Sequence, residues 1–302
     1  MFDVAQKVAV ITGGSSGIGR GIALALARAG AHVVALGRSS KNMEETQELF
    51  DSHELEIDLL QADVTDLDRL NAVAEEVVAK FGRIDILVNN AGIGLTGPVM
   101  EATADDWRWV VDVNILGVGN SIQAFVPKIR EHGEGGVVVN TSSMGGLMPV
   151  VAGLYSMTKA GVIALSEALH IELAEENITV SAYCPGPVHS NIALAVGRRP
   201  SEYGESGYKV PPPEFAEFSK NQPYMSAEEA GQRVLQGIQR RDMFILTHPE
   251  FKAGVAQRHS AIEKAFPDEP INTERRDAIG FLLSSEVYQP ENLPDSPVFA
   301  AE

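Results

Sequence analysis

Tyr155 and Lys159 stand four residues apart in the stretch Tyr155-Ser156-Met157-Thr158-Lys159. If this stretch is helical, both side chains lie on one face, one turn apart. At a separation of ~4 Å and an effective dielectric of ~20, an ammonium stabilises a tyrosinate by roughly 4 kcal/mol, or about three pKa units. The pair predicts a tyrosine whose pKa falls from about 10 to about 7, where a phenol transfers protons efficiently. A surface tyrosine beside a solvated lysine is the alternative, and the rest of the chain decides between the two.

A glycine-rich turn follows the first apolar run of the chain. The segment Thr12-Gly13-Gly14-Ser15-Ser16-Gly17-Ile18-Gly19 leads from a strand candidate into a helix candidate. Such a turn lets the backbone approach a pyrophosphate, which then lies at the N-terminus of the helix. The alternative is a plain tight turn between strand and helix, which three spaced glycines disfavour. The turn predicts a dinucleotide site and does not by itself identify the dinucleotide.

The turn after the second strand candidate bears on the type of dinucleotide. It reads Leu36-Gly37-Arg38-Ser39-Ser40, without the acidic residue that binds the ribose 2′-hydroxyl in NAD sites. The Arg38 guanidinium can form paired hydrogen bonds with a 2′-phosphate, and the two serines can donate to it. The turn therefore favours NADP(H), with NAD(H) as the alternative. A third possibility is that Arg38 is a solvated loop residue that contacts neither cofactor.

Composition and charge restrict the classes of protein that fit. With 302 residues, 44% of them hydrophobic and 22% charged, the chain is typical of soluble globular proteins. A net charge of −17 argues against nucleic acid as a partner, and no apolar run approaches the ~18 residues of a membrane span. The single cysteine, Cys184, fits a reducing compartment, and the start of the chain lacks a basic leader. We expect a cytoplasmic protein, and no cluster of residues has the spacing of metal ligands.

Short apolar runs alternate with longer amphipathic stretches over the first two-thirds of the chain. The strand candidates are Val8–Ile11, Val33–Leu36, Ile57–Leu60, Ile84–Val88, Val137–Asn140 and Thr179–Tyr183. The helix candidates are Gly19–Ala29, Ser40–Ser52, Asp66–Phe81, Thr103–Glu131 and Gly153–Glu175. Because the strands are apolar throughout, this rhythm predicts an α/β fold with a doubly wound, Rossmann-like parallel sheet and helices on both faces.

The pattern changes after about residue 190. Residues 191–225 are rich in Pro, Gly, Tyr and Phe without clear periodicity, which favours a substrate lid. A helix is expected at Ser226–Arg241 and a last strand at Met243–Thr247. We therefore expect a dinucleotide-binding catalytic domain over residues 1–248 that contains the lid. Residues 249–302 are expected to form a C-terminal extension, helical at 249–266, with a loose tail around Pro290–Pro297.

Several short motifs occur together in one order. They are Thr12-Gly13-x-x-x-Gly17-x-Gly19, Asp63-Val64, Asn89-Asn90-Ala91-Gly92, Asn114, Ser142, Tyr155-x-x-x-Lys159 and Pro185-Gly186. In this order and spacing the chain resembles the short-chain dehydrogenase/reductase family over residues 5–190, with a weaker match to about residue 247. The resemblance implies an NAD(P)-dependent oxidoreductase that interconverts a secondary alcohol and a ketone.

The resemblance also implies a role for each matching residue. Tyr155 is the expected general acid/base, Lys159 lowers its pKa and binds the nicotinamide ribose, and Asn114 supports a proton relay through water. Ser142, thirteen residues before Tyr155, is expected to bind the substrate oxygen in preference to the adjacent Ser143. The expected cofactor contacts are Gly13, Ser15, Ser16, Gly17, Ile18, Gly19, Arg38, Ser39, Asp63, Val64, Asn90, Ala91, Gly92, Tyr155, Lys159, Pro185, Gly186 and Val188.

The lid has a more particular resemblance. Its segments Ser190-Asn191-Ile192-Ala193, Arg199-Pro200 and Tyr203-Gly204 resemble those of Cα-dehydrogenases that oxidise benzylic alcohols of lignin-derived aryl ethers. This implies a bulky, hydrophobic secondary alcohol or ketone as the substrate, of which an aromatic compound is one example. The lid aromatics Tyr203, Tyr208 and Phe215 are candidate substrate contacts. Those enzymes look NAD-type at the second strand, so the resemblance of the lid does not extend to the cofactor.

The assembly and one alternative function remain to be considered. Many family members end in a glycine-rich strand that completes a tetramer, and this chain has Met243–Thr247 followed by a long tail instead. We expect a homo-oligomer, with a dimer through the helices Thr103–Glu131 and Gly153–Glu175 favoured over a tetramer. A dinucleotide-binding sensor or scaffold on the same fold is the alternative function. A halide lyase that uses Ser and Tyr without a nucleotide is disfavoured by the glycine turn and Lys159.

Overall fold

A single parallel sheet of seven strands forms the centre of the computed structural model, which describes residues 1–289. The strands are β1 (Val8–Thr12), β2 (His32–Gly37), β3 (Asp58–Gln61), β4 (Ile86–Asn89), β5 (Gly136–Thr141), β6 (Ile178–Cys184) and β7 (Phe244–Leu246). Their order across the sheet is β3-β2-β1-β4-β5-β6-β7, and every neighbouring pair is parallel. The predicted doubly wound α/β fold is confirmed.

Helices cover both faces of this sheet. They are α1 (Gly17–Arg28), α2 (Ser40–Ser52), α3 (Leu67–Phe81), α4 (Ala104–Val111), α5 (Gly117–Glu131), α6 (Met144–Leu147), α7 (Gly153–Glu172), α8 (Pro213–Lys220) and α9 (Ala227–Arg240). Successive residues of β1 face opposite sides. Ile11 belongs to the apolar cluster with Ile22 of α1 and Val234 of α9, whereas Val10 belongs to the cluster with Leu70 of α3 and Phe125 of α5. Burial on both faces explains why the strands are apolar throughout.

The ends of the helices follow local signals in the sequence. The side chains of Asp66 and Ser226 accept hydrogen bonds from the first turns of α3 and α9. Gly82 ends α3 with φ of 80°, the left-handed conformation that glycine adopts without strain. Strand boundaries are less well predicted: β4 begins at Ile86 rather than Ile84, although the Asp85 backbone already forms hydrogen bonds with Val8 and Val137.

The stretch predicted as one helix, Thr103–Glu131, is interrupted. α4 passes into a π-helical turn at Asp112–Leu116 before α5 begins. Within the stretch Ala104–Glu131, a window of 18 residues is, by length and composition only, apolar enough to cross a membrane. Of this apolar segment, 56% is buried inside the protein. Core helices of soluble proteins have the same length and composition, so the segment is weak evidence for a membrane span.

The lid has more regular structure than its composition indicated. Two 3-10 turns, Ile192–Arg198 and Ser201–Tyr203, precede α8, which the sequence did not predict. The chain divides into two compact units, residues 1–247 and residues from 248 onward. The second unit contains α10 (Lys252–Glu263) and α11 (Thr273–Ala278) within its described part. The expected tail around residues 290–297 lies outside the described residues.

Candidate active site

A cleft of about 570 Å³ opens at the carboxyl ends of β1 and β4. Here the strand order reverses, because β1 pairs with β2 on one side and with β4 on the other. Open α/β sheets bind ligands at this point. Fifteen of the predicted cofactor residues line the cleft: Gly13, Ser15, Ser16, Gly17, Ile18, Arg38, Ser39, Asp63, Val64, Asn90, Ala91, Gly92, Tyr155, Lys159 and Pro185.

The glycine turn forms one wall of the cleft. Gly13 and Gly17 have φ of 66° and 50°, which residues with side chains rarely adopt. Gly19 faces inward, since a Cβ atom there would lie 2.3 Å from the Gly13 carbonyl oxygen. Ser16, at the start of α1, makes no side-chain capping hydrogen bond, so the first N–H groups of the helix remain available to an anion. This wall therefore fits the pyrophosphate of a dinucleotide.

Thr12 and Asn90 join the glycine turn to the end of β4. The Thr12 hydroxyl accepts hydrogen bonds from the backbone N–H groups of Asn90 at 3.0 Å and Ala91 at 3.1 Å. The Asn90 side-chain amide donates in return to the Thr12 carbonyl at 3.2 Å. Asn90 thus holds the floor of the cleft in place with its side chain.

The end of β2 forms the second wall. A Cβ atom on Gly37 would lie 2.2 Å from the Ser15 hydroxyl, so an acidic side chain there would have to displace that hydroxyl. The next residue, Arg38, lines the cleft and forms an ion pair with Asp63 at 3.2 Å. Ser39 caps α2 by accepting from the Asn42 backbone. The Arg38 side chain is 46% exposed, and an exposed ion pair of this kind is weak. A phosphate could therefore replace Asp63 as the partner of Arg38 at little cost in free energy.

The π-helical turn positions Asn114. Extra turns of this kind are frequent at functional sites. Asn114 is fully buried: its side-chain oxygen accepts from the Ile93 backbone at 2.9 Å, and its amide donates to the Ile93 carbonyl at 3.0 Å. A Cβ atom on Gly92 would lie 3.2 Å from the Asn114 oxygen and 3.4 Å from Lys159 Nζ, so both polar groups approach the same point of the backbone.

Lys159 and Tyr155 lie on one face of α7, as their spacing predicts. Lys159 Nζ donates to the Thr141 carbonyl at 2.8 Å and lies 5.6 Å from the centre of the Tyr155 ring. Burial lowers the pKa of Lys159 to about 8. Burial raises the pKa of Tyr155, against a smaller lowering effect of a hydrogen bond with the Ser143 side chain. The expected fall of the Tyr155 pKa to about 7 is not found in the polypeptide itself, because burial raises that pKa.

The two adjacent serines face different surroundings, although Ser142 is the one that lines the cleft. The Ser142 backbone continues the ladder to Tyr183, and its buried hydroxyl donates to the Lys159 carbonyl at 2.7 Å. Ser143 is only partly buried, caps the short helix α6, and lies close enough to the Tyr155 phenol to work toward a lower pKa of that group. The sequence-based preference for Ser142 rested on a thirteen-residue spacing to Tyr155, which does not record the direction of either side chain.

Two other predicted contacts lie apart from the cleft lining. The Gly186 backbone donates to the Thr247 hydroxyl at 3.3 Å. Val188 forms an isolated parallel bridge with Met225 at the end of the lid. Pro185, the other predicted contact in the loop after β6, does line the cleft. Gly186 and Val188 therefore shape the base of the lid.

The lid is attached to α4 through buried groups. Asp106 of α4 forms an ion pair with Arg199 and accepts hydrogen bonds from the Ser206 hydroxyl at 2.7 Å and the Gly207 backbone at 2.9 Å. Burial works to raise the pKa of Asp106, but its hydrogen bonds lower that pKa below the ordinary value.

The lid aromatics do not all lie where the sequence placed them. Tyr203 and Tyr208 are buried in an apolar cluster with Trp109, so they anchor the lid. Phe215 lines a separate cavity of about 440 Å³ beside α1 and α9. Ile192 and Ala195 are the apolar lid residues that line the dinucleotide cleft.

The comparison with known families decides what kind of protein carries this site. The model of the short chain dehydrogenase family matches residues 7–200. This chain belongs to the short-chain dehydrogenase/reductase family. It is therefore an NAD(P)-dependent oxidoreductase that acts on CH–OH and carbonyl groups.

Individual members of the short-chain dehydrogenase/reductase family extend the likeness beyond the matched region. A Cα-dehydrogenase from Sphingobium sp. strain SYK-6 is 34% identical over 265 residues, covering 87% of each chain. A family member from Burkholderia phymatum, solved in complex with NAD, superposes with a TM-score of 0.81 at 30% identity, covering 90% of this chain and 100% of that one. The L-sorbose reductase of Gluconobacter frateurii, solved with NADPH and L-sorbose, has a TM-score of 0.66 at 26% identity, with coverages of 82% and 97%.

Proposed function

We propose that this enzyme transfers a hydride between NADP(H) and a hydrophobic, aromatic secondary alcohol or ketone. The observation that carries the proposal is that Tyr155 and Lys159 line the same cleft as the glycine turn, with Ser143 close to Tyr155. Family membership supports the reaction type. The preference for NADP(H) is an inference from this chain's own residues, and the substrate class is inferred from its residues together with the likeness to a Cα-dehydrogenase.

In the proposed mechanism, Tyr155 exchanges a proton with the substrate oxygen. A bound nicotinamide dinucleotide supplies or accepts the hydride. During reduction the Tyr155 phenol gives its proton to the ketone oxygen, and during oxidation the tyrosinate takes the hydroxyl proton. The Ser143 hydroxyl donates a hydrogen bond to the same oxygen as negative charge develops there. Lys159, when protonated, stabilises the tyrosinate.

Asn114 acts in this proposal as a positioning residue. Its amide group is fully used by the Ile93 backbone and by the Thr158 hydroxyl at 3.1 Å. It therefore fixes the backbone next to Lys159 Nζ, where a chain of water molecules would return the proton to solvent. The net reaction converts a secondary alcohol and NADP⁺ into a ketone, NADPH and a proton.

The preference for NADP(H) rests on the end of β2. Gly37 carries no acidic group, and Arg38 and Ser39 line the cleft beside it. An Arg at this position accommodates a 2′-phosphate. The related structures contain NAD in one case and NADPH in another, so the preference is argued from these residues alone.

The hydrophobic substrate is supported by the surface beside Tyr155. Val150 and Val151, just before α7, are 74% and 73% exposed, and Met100 is 94% exposed. Val99, next to Met100, lies against Gly153 at the start of α7. This apolar rim, together with the likeness to a Cα-dehydrogenase, favours an aryl alcohol or aryl ketone.

A substrate screen tests the proposal. The purified enzyme is incubated with aryl and aliphatic ketones and either NADPH or NADH, and the nicotinamide absorbance is followed. We expect turnover with aryl ketones, faster with NADPH, and loss of turnover by at least roughly a hundredfold in Tyr155→Phe with cofactor binding retained. Cofactor binding without turnover of any substrate would support the alternative of a sensor or scaffold protein.

We also propose a homodimer through the surface of α4, α5 and α7. Trp107, Leu116 and Ile171 in this region are 41%, 52% and 45% exposed. Light scattering on the purified protein, with Ile171→Glu as the variant, tests the dimer: the variant should be monomeric. The cytoplasmic location expected from the sequence stays a prediction.

A further inference from the structure

The lid contains two consecutive arginines with different surroundings. The buried Arg199 forms an ion pair with Asp106, and its guanidinium lies 5.1 Å from the centre of the Trp109 ring. It also donates to the Tyr203 carbonyl at 2.7 Å. Arg198 is exposed and lines the dinucleotide cleft. Within residues 1–289, the Arg198 guanidinium forms no hydrogen bond and no ion pair.

This part of the lid lies near the adenosine end of the cleft. Val196, two residues before Arg198, packs against the apolar cluster that contains Val64. Burial and the hydrogen bond to Asp112 raise the pKa of Tyr203 to about 12, and the nearby charge of Asp63 contributes. Asp63 and Val64 directly follow β3, whose neighbour β2 ends beside Arg38. The segment that carries Arg198 therefore approaches the same end of the cleft as Arg38.

The charges along the cleft leave one guanidinium without a partner. Among the described residues that line it, three are positively charged: Arg38, Lys159 and Arg198. Arg38 shares its charge with Asp63, and Lys159 lies beside Tyr155 at the opposite end. The whole chain carries a net charge of −17, which opposes an incoming polyanion. A phosphate that enters this end of the cleft therefore meets an unpaired cation only at Arg198.

We propose that Arg198 binds the 2′-phosphate of NADP(H) together with Arg38, so that the lid contributes to the choice of cofactor. This inference rests on the proposed preference for NADP(H). A guanidinium binds phosphate through paired hydrogen bonds, and two arginines match the double negative charge of a phosphate monoester. Because Arg199 attaches the same turn to α4, a phosphate held by Arg198 also holds the lid over the cleft.

The experiment compares Arg198→Gln with Lys209→Gln. Lys209 is an exposed cation of the same lid that does not line the cleft, so its variant removes the same charge elsewhere. Binding of NADPH and NADH is measured by quenching of tryptophan fluorescence, since Trp109 lines the cleft. Displacement of NADPH by adenosine 2′,5′-bisphosphate and by 5′-AMP is measured in parallel. Thermal unfolding checks that both variants fold.

We expect Arg198→Gln to weaken NADPH and adenosine 2′,5′-bisphosphate roughly tenfold, the scale of one charged hydrogen-bonded contact. NADH and 5′-AMP should change by less than about twofold, and Lys209→Gln should match the wild type. Arg198→Lys keeps the charge without the paired geometry, so its affinity for NADPH should lie between those of wild type and Arg198→Gln.

The outcomes separate this inference from the proposal on which it rests. A wild-type enzyme that binds NADPH no more tightly than NADH contradicts the proposed cofactor preference, and the role of Arg198 with it. A wild type that prefers NADPH, with the same preference in Arg198→Gln, overturns only the role of Arg198. Equal weakening of both cofactors in Arg198→Gln also overturns it, because the residue would then act on the lid and not on the 2′-phosphate.

Discussion

At the scale of single residues, the surroundings of two neighbouring hydroxyls decide which one can act. Ser142 donates inward to the Lys159 carbonyl, whereas Ser143 lies beside the Tyr155 phenol and works toward a lower pKa of that group. Both serines follow the end of β5 at Thr141. Ser143 still has an extended backbone, in which successive side chains point to opposite sides. The sequence shows two serines, and their directions depend on where β5 ends.

Replacing each serine by alanine separates the two roles. Ser143→Ala should lower kcat/KM roughly a hundred- to a thousandfold, as loss of one donor to a developing oxyanion does, with a loss of stability of about 1 kcal/mol from the missing cap of α6. Ser142→Ala should lower the free energy of unfolding by about 1 kcal/mol, because it removes a buried hydrogen bond. Steady-state kinetics and thermal unfolding on both variants check this. A larger kinetic effect of Ser142→Ala would restore the role expected from the sequence.

Burial of the Lys159 side chain destabilises the folded protein. Burial lowers its pKa from 10.5 to about 8, so at pH 7 the folded protein holds a charge that burial disfavours. Lys159→Met should therefore raise the free energy of unfolding at pH 7 by on the order of 1–3 kcal/mol while abolishing turnover.

The pH dependence gives the sign of this effect. Between pH 8 and 10.5 the folded protein has released the Lys159 proton that the unfolded chain still binds, so wild-type stability rises with pH in that window. The advantage of Lys159→Met should shrink accordingly between pH 7 and pH 9.5. Thermal unfolding at both pH values measures it, and an advantage that grows with pH would contradict the lowered pKa.

At the scale of elements, the lid is held by a buried ion pair. Asp106 is fully buried and Arg199 has 6% of its side chain exposed, so neither charge is compensated by water. Removing one partner of such a pair typically costs 3–5 kcal/mol, because the other is left buried and unpaired. The lid therefore depends on a contact between α4 and residue 199 that lies 93 positions away.

We expect Arg199→Gln to release the lid from α4. The variant should be cut by protease within residues 191–225 much faster than the wild type, and the KM for the substrate should rise. Arg108→Gln is the matched control, since Arg108 pairs with Asp105 on the exposed surface of the same helix. Equal protection of the lid in Arg199→Gln would show that the apolar contacts of Tyr203 and Tyr208 hold it alone.

At the scale of the whole molecule, the two ends of the parallel strands carry different groups. The cleft lies at the carboxyl ends of the strands, and a charged cluster around Asp85 lies near the opposite ends. Asp85 is 99% buried: it accepts from the Val8 backbone at 3.0 Å and forms ion pairs with Lys7 and Arg83. At about 3.3 Å per residue, the length of β1 separates this cluster from the glycine turn by roughly 13 Å.

Asp85→Ala should lower stability without lowering activity. The variant leaves the Val8 N–H and two cations without their acceptor, which should cost about 3 kcal/mol of the free energy of unfolding. Its kcat/KM, measured at a temperature where it remains folded, should stay within about twofold of the wild type. Asp51→Ala, an exposed carboxylate on α2, serves as the control for both measurements.

The sequence by itself determined the parallel sheet, the glycine turn and the pairing of Tyr155 with Lys159. These features depend on short-range rules: apolar runs form buried strands, glycines permit positive φ, and a spacing of four brings side chains to one helix face. The order of the motifs was also enough to indicate the family, which the match over residues 7–200 confirms.

Only the tertiary structure decided how the site is arranged around those features. It places Ser143 beside Tyr155, interrupts the helix at Asn114 with a π turn, and pairs Arg38 with Asp63. It also raises the pKa of Tyr155 where the spacing to Lys159 alone predicted a fall. The physical reason is that side-chain direction, burial and distant charge partners depend on contacts between residues far apart in the chain, which no local pattern records.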